Sequence, residues 1–300
     1  MPFKKLLNIF NWKRKEPLYI FIHVPKTGGT TIKNIIYENF NKDEIIFGYS
    51  IIVDENFNRN IINFNRKILN MKEEDKNKIK FILGHNIYYG IHKLFPNREP
   101  RYFMFLRNPT LRAISGYNFA VFRSKREKKN SYNEIILKNG KPMSFYKAYE
   151  KYYRAIIPWI FFYISHNSDL DWISESMGIK SLRKKLLSNL KKSLSNFYFV
   201  GITEDSESFE LLYKVLGIRK VLPNQNISPK YFNPKNLEEV KKRIWLYIKY
   251  EQEIYDYALK LNKKHKRRLK RELRIRELKN KVNNIVANFL NKKDIAYHQI

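Results

Sequence analysis

Tyr19 to Ile36 reads YIFIHVPKTGGTTIKNII: an apolar run, a short loop, then apolar residues at helical spacing. The loop carries Lys26, Thr27, Gly28, Gly29, Thr30 and Thr31, a composition suited to holding an anion. Paired glycines let the backbone wrap a phosphate closely, and the first-turn N–H groups of a following helix meet it with the positive end of the helix dipole. The three threonines add hydroxyl donors, and Lys26 adds a point charge beside the anion. The order is not that of a Walker A loop, G-x-x-x-x-G-K-[ST], whose lysine follows the last glycine and whose hydroxyl holds Mg²⁺. Here Lys26 precedes Gly28 and Gly29, and Lys33 already stands inside the helix.

A second constellation is Phe105 to Tyr117, FLRNPTLRAISGY. Arg107 closes a strand and Ser115 lies two turns into the next helix, so the two can clamp a second phosphate from two sides. Arg112 reads as an ion-pair or helix-surface residue. The strand that would supply a Walker B carboxylate ends instead in Arg107. His85 follows another strand, FILG. His23 reads as structural, while His92, His166, His265 and His298 form no H-E-x-x-H or comparable spacing, so no metal site is expected. Glu204 and Asp205 follow Thr203, read as a helix cap, where acids meet the helix dipole. Tyr88, Tyr89 and Tyr117 are candidate stacking surfaces, and Asn226, Ser228 and Lys230 are further candidates for cofactor contact.

These residues need a scaffold. Apolar runs at Leu18–Val24, Ile79–Leu83, Tyr102–Leu106 and Phe197–Val200 read as buried strands,. Helical spacing follows in Thr30–Phe40, after Pro109, and from Thr203 to a closing Gly217. Alternating strands and helices predict an α/β fold with a parallel sheet, whose ligands bind at the carboxyl ends of the strands. All the motifs above lie there. Residues 130–195 read mainly as helical, and the absence of Gly and Pro from Leu237 onward predicts one or two long helices. The chain divides into a basic amphipathic leader (1–17), a main domain (18–261) and a basic helical tail (262–300) standing outside it. In the tail Leu278, Val282, Ile285 and Phe289 alternate gaps of four and three residues. That stripe must be covered by the body, a second copy or a lipid interface, with protein packing expected ahead of membrane.

The 300 residues are 43% hydrophobic, ample for a large core, and carry a net charge of +31. Such a charge attracts polyanions, although a chain this rich in Lys, Asn and Ile can owe part of it to biased coding composition. No cysteine is present, which excludes disulfides, thiolate metal sites and a cysteine nucleophile,. The first residues lack the apolar stretch of a signal peptide, and the longest apolar run, Ala155–Ile164, is half the ~20 residues a bilayer span needs,. A cytoplasmic protein, peripheral at the inner face of a membrane through its basic termini, is the expectation.

HVPKTGGTT and RNPTLRAISGY, with FILGH, FVGITEDSESFELL, NISP and EIYDYALKL, together resemble the sulfotransferases, in the carbohydrate branch of heparan-sulfate 2-O- and chondroitin enzymes. The resemblance runs from about Tyr19 to Leu261. It implies a P-loop-like three-layer fold with a central parallel sheet flanked by helices. It also implies 3′-phosphoadenylyl sulfate (PAPS) as sulfate donor, 3′-phosphoadenosine 5′-phosphate (PAP) as product, and no required metal. Lys26 through Thr31 then hold the 5′-phosphosulfate, and Arg107 and Ser115 the 3′-phosphate. His85 stands at the family's general-base position, with Lys26 assisting the leaving phosphate. Close relatives carry a further histidine two residues earlier, where this chain has Leu83, so a two-histidine arrangement is not expected. The acceptor is a carbohydrate or glycolipid, acidic acceptors included; no specific nucleic acid is expected, and a homodimer is compatible. Two other readings stay open: a nucleotide or sugar kinase, which metal dependence would reveal, and a non-enzymatic polyanion-binding module.

Overall fold

The structure is a computed structural model and describes residues 15–48, 57–85, 87–126, 136–151, 180–222 and 229–297, with side chains omitted for 57–60 and 286–297. Five parallel strands form the central sheet in the order β2 (Ile45–Gly48), β3 (Phe81–Gly84), β1 (Pro17–Ile22), β4 (Glu99–Leu106) and β7 (Phe199–Ile202). β1 lies at the centre, pairing Ile22 with Gly84 on one side and with Met104 on the other. Two further strands among the described residues, β5 (Leu137–Lys138) and β6 (Lys141–Pro142), make a small hairpin turned by Asn139 and Gly140, both at positive φ.

Successive residues of the strands serve opposite faces, which is why the runs are apolar throughout. Ile20, Ile22, Ile82, Met104 and Val200 pack against α5 (Lys180–Ser195) and α7 (Leu237–Tyr297). Phe21, Phe81, Phe103, Phe105 and Phe199 pack on the other face against α1 (Gly29–Asn39) and α6 (Ser206–Leu216). The result is the expected three-layer sandwich. α2 (Phe57–Leu69) and α3 (Glu73–Lys78) lead into β3, and α4 (Pro109–Arg126) follows β4. Asn108 starts α4 by accepting the N–H groups of Thr110 and Leu111 on its side-chain oxygen, at 3.0 and 3.3 Å,.

Three readings of the sequence change, and one strand was missed. The last strand starts at Phe199 and runs through Gly201 to Ile202, while Phe197 packs as core against Tyr89 and Tyr102. Position 201 takes glycine because a Cβ there would meet the Phe105 ring at 2.5 Å. Edge strand β2, only four residues long, was not legible. The cap of α6 is Asp205, not Thr203, whose hydroxyl bonds to strand and loop carbonyls instead. Finally, the division at 262 falls inside one unbroken helix, α7, of 61 residues. Beyond it Asn262 donates to Val200 O, His265 accepts the Val200 N–H, and Leu269 is wholly buried. The basic stretch through Arg276, which donates to Val215 O, is thus part of the body and no appendage.

Within 130–195, the described residues 145–151 and α5 are helical and the β5–β6 hairpin is not. Most of the leader, with Asn226 and Ser228, lies outside the described residues.

Candidate active site

The carboxyl ends of β1, β3 and β4 stand side by side, and each delivers one chemical group. β1 ends in the loop to α1. Lys26 adopts φ +67°, uncommon for a residue with a side chain, and Gly28 follows at φ +83°,. Three bonds hold this shape. The Thr27 hydroxyl donates to Val24 O at 2.8 Å, the Thr203 hydroxyl to Thr27 O at 3.0 Å, and Arg107 Nη1 to Lys26 O at 3.4 Å. Thr27 is fully buried with its hydroxyl turned inward. Its hydroxyl therefore holds the loop.

α1 begins directly at Gly29. Thr31 is the first residue to bond inward, onto Gly28 O at 3.1 Å, and the N–H groups before it precede the intrahelical ladder, as at every helix start,. No side chain fits at Gly29: an added Cβ would lie 2.0 Å from the His23 ring. Thr30 is half-buried beside it and Thr31 buried within α1.

His85 follows β3. Its ring stacks on that of His23 with centroids 4.0 Å apart, and its Nδ1 lies 2.9 Å from His23 O. A carbonyl only accepts, so Nδ1 carries the proton and Nε2 of the neutral ring keeps its lone pair. Burial, with a smaller contribution from Lys33, pulls the His85 pKa down to about 4 against the bond to His23 O. His23 lies well below its ordinary value, through burial first and then the charges of His85, Lys33 and Lys26. Position 83 is a leucine as read, but the His23 and His85 rings pair across the sheet. The signal of that pairing was the HVPK sequence itself, which places a polar ring one residue past β1.

Lys26 Nζ sits over the Phe119 ring of α4 at 4.0 Å, a cation–π contact. Burial, and then Arg107, lower its pKa to about 8. Ser115 is half-buried one helical turn before Phe119, hence on the face of α4 that meets Lys26,. Arg107 directly follows β4, and its Nε is buried without a hydrogen-bond partner. Glu204 faces it at 3.6 Å, and the same carboxylate accepts the Asn108 N–H at 3.2 Å and the Tyr255 hydroxyl at 3.2 Å. Glu204 thus serves this site, a role missed because its partner is distant in sequence. Arg112 makes the expected ion pair, a two-point contact with Glu251 of α7 at 2.5 and 2.6 Å.

The proposed stacking tyrosines are otherwise engaged. Tyr89 is buried, the Tyr88 hydroxyl accepts from Asn65, and the Tyr117 hydroxyl donates to Met143 O. Lys230 is exposed.

The sulfotransferase family model matches residues 12–276. The chain belongs to the sulfotransferase family. Among curated sulfotransferases it is similar to heparan sulfate 2-O-sulfotransferase 1 of Mus musculus and of Homo sapiens, each 24% identical over 209 residues, 67% of this chain and 54% of the relative. The Xenopus laevis enzyme of that name is 26% identical over 208 residues, covering 66% and 54%. The chain spans about half the length of these sulfotransferases. Among solved structures, mouse sulfotransferase SULT7A1 complexed with PAP aligns at 14% identity and TM-score 0.29, over 78% of this chain and 85% of that one.

Proposed function

We propose that this sulfotransferase moves a sulfuryl group from PAPS to a hydroxyl of a carbohydrate acceptor. The observation that carries the reading is the meeting of Lys26, His85 and Arg107 at one edge of the sheet, around a glycine turn that opens onto the start of α1. The named relatives act on heparan sulfate, which supports a saccharide hydroxyl as acceptor.

The residues present fit two separate anions. At the first, the N–H groups at the start of α1 face developing charge on the sulfuryl oxygens, and Lys26 stabilises charge on the phosphate oxygen that departs as the S–O bond breaks. At the second, Arg107 Nε, buried and ion-paired with Glu204 at 3.6 Å but without a hydrogen bond, can donate to a phosphate oxygen, with Ser115 offering a hydroxyl. Glu204 lies against the same guanidinium and would share it with a 3′-phosphate. His85 Nε2 takes the acceptor proton as the new O–S bond forms, leaving PAP and a sulfated sugar. Positioning and electrostatics supply most of the acceleration in transfers of this type.

The test is transfer of labelled sulfate from PAPS to a panel of saccharides and glycolipids, with and without EDTA. Labelled product that persists in EDTA is the expected result. Failure on the whole panel, with PAP bound no better than AMP, would overturn it. Activity that is lost in EDTA and restored by Mg²⁺ would favour the kinase reading.

A further inference from the structure

From residue 263 onward α7 is divided along its length. One side is committed to the protein: Leu269 is buried, Glu272 accepts the Tyr198 hydroxyl at 2.9 Å, and Arg276 donates to Val215 O. At 100° per residue, the opposite side holds Arg267, Arg271, Arg274, Leu278, Val282 and Ile285 within an arc about 80° wide. All six are exposed; the three apolar ones keep 54%, 57% and 68% of their surface open. The body therefore does not cover this stripe. The same arc contains no carboxylate, because Glu272 and Glu277 project outside it,.

We propose that this face of α7 docks on an anionic lipid bilayer, the apolar residues entering the acyl boundary and the arginines lying against the headgroups. The spacing of four and three residues would also let two copies pair as a coiled coil. The flanks oppose that, for Arg274, Lys279 and Lys281 border the stripe and would meet their own kind with no acidic partner between them,. A soluble acidic polymer would satisfy the arginines and leave Leu278, Val282 and Ile285 in water. Only a surface apolar within and negative at its rim satisfies both halves of the arc. The family match stops at Arg276, and the apolar half lies beyond it. It also stands far from the chemistry: Tyr255 of α7 touches Glu204, and Leu278 lies about 35 Å further along the helix,.

The experiment is vesicle co-sedimentation of the full chain, with phosphatidylcholine alone and mixed with phosphatidylserine. Binding to the mixed vesicles and not to the neutral ones is expected. Arg267→Gln/Arg271→Gln/Arg274→Gln should lower the apparent affinity on the order of 100-fold. Leu278→Ser/Val282→Ser/Ile285→Ser should lower it by about tenfold or more. Both variants should keep the parent's thermal unfolding midpoint, which separates lost docking from lost folding. The proposal falls if the intact chain binds neither vesicle or both equally, or if the serine variant retains full affinity. It also falls if sedimentation equilibrium shows a dimer that the serine variant disperses while vesicle binding persists.

Discussion

His85 has only one tautomer available while its Nδ1 faces a carbonyl, so its free nitrogen is a base whenever the ring is neutral. A positioned base contributes about 10²–10⁴-fold, and His85→Ala should lose that much turnover in the labelled-sulfate assay while PAP affinity stays near the parent's. The pH profile follows from two lowered pKa values. His85 acts unprotonated, so kcat/KM falls as pH drops through about 4; Lys26 acts protonated, so it falls again as pH rises through about 8. An acid limb that stays in place in His85→Ala, with turnover near the parent's, would remove His85 from the role. Arg107 is tested separately. A charge-assisted bond to phosphate is worth about 1.5–3 kcal/mol, so Arg107→Ala should weaken PAP by roughly 10- to 100-fold and AMP far less, measured by calorimetry. Equal losses for the two ligands would break the two-phosphate assignment.

Elements enter through their ends, because the site is made of strand termini held in register. Gly84 shows how tight that register is. At φ +142° it closes β3 against β2, and a Cβ there would lie 2.0 Å from Gly48 O, a backbone atom that cannot swing aside. The strain and the clash together should make Gly84→Ala cost about 2–4 kcal/mol of unfolding free energy in urea. His85 is the next residue, so turnover should drop with it. Unchanged stability would mean that β2 adjusts freely and contributes nothing to placing His85. Gly29 plays the matching part at α1, where the absent side chain leaves room for the His23 ring on which His85 stacks.

The whole molecule is closed by α7, which runs from Glu251, paired with Arg112 beneath the site, past the sheet to Leu269 and Arg276. Removing residues 262–300 takes away Asn262, His265 and Leu269. One buried leucine is worth about 2–5 kcal/mol, and the three together approach the whole stability of a domain, about 5–15 kcal/mol. That deletion should yield no cooperative thermal transition, whereas removing only 277–300 should leave the midpoint close to the parent's. His265 gives the molecule an acid sensitivity of its own. It is buried and accepts the Val200 N–H, and burial, then Arg268 and Lys264, lower its pKa to about 4. The unfolded chain therefore binds more protons between about pH 4 and 6.5. Stability should fall with pH across that window, by up to about 1.4 kcal/mol per unit from this residue, as denaturant titrations at several pH values would register.

Whatever depends on neighbours along the chain was legible in the sequence. The apolar runs announced four of the five sheet strands, the glycine pair with its lysine announced the anion loop, Pro109 and Gly217 marked helix ends, and Arg112 was read as an ion-pair residue. Local sterics and burial periodicity act over a few residues and leave their record there. What only the tertiary structure decided are meetings across the sheet. Strand order β2-β3-β1-β4-β7 sets the end of β1 between those of β3 and β4, so that His23 meets His85 and Lys26 meets Arg107. It brings Glu204, which looked like a helix-dipole residue, onto the arginine of the second phosphate site. It also turned half of a basic tail into core, because His265 and Leu269 fall on the side of α7 that faces β7 and α6. No pattern of charge along the chain encodes that side: which face of a long helix is buried depends on the surface it crosses.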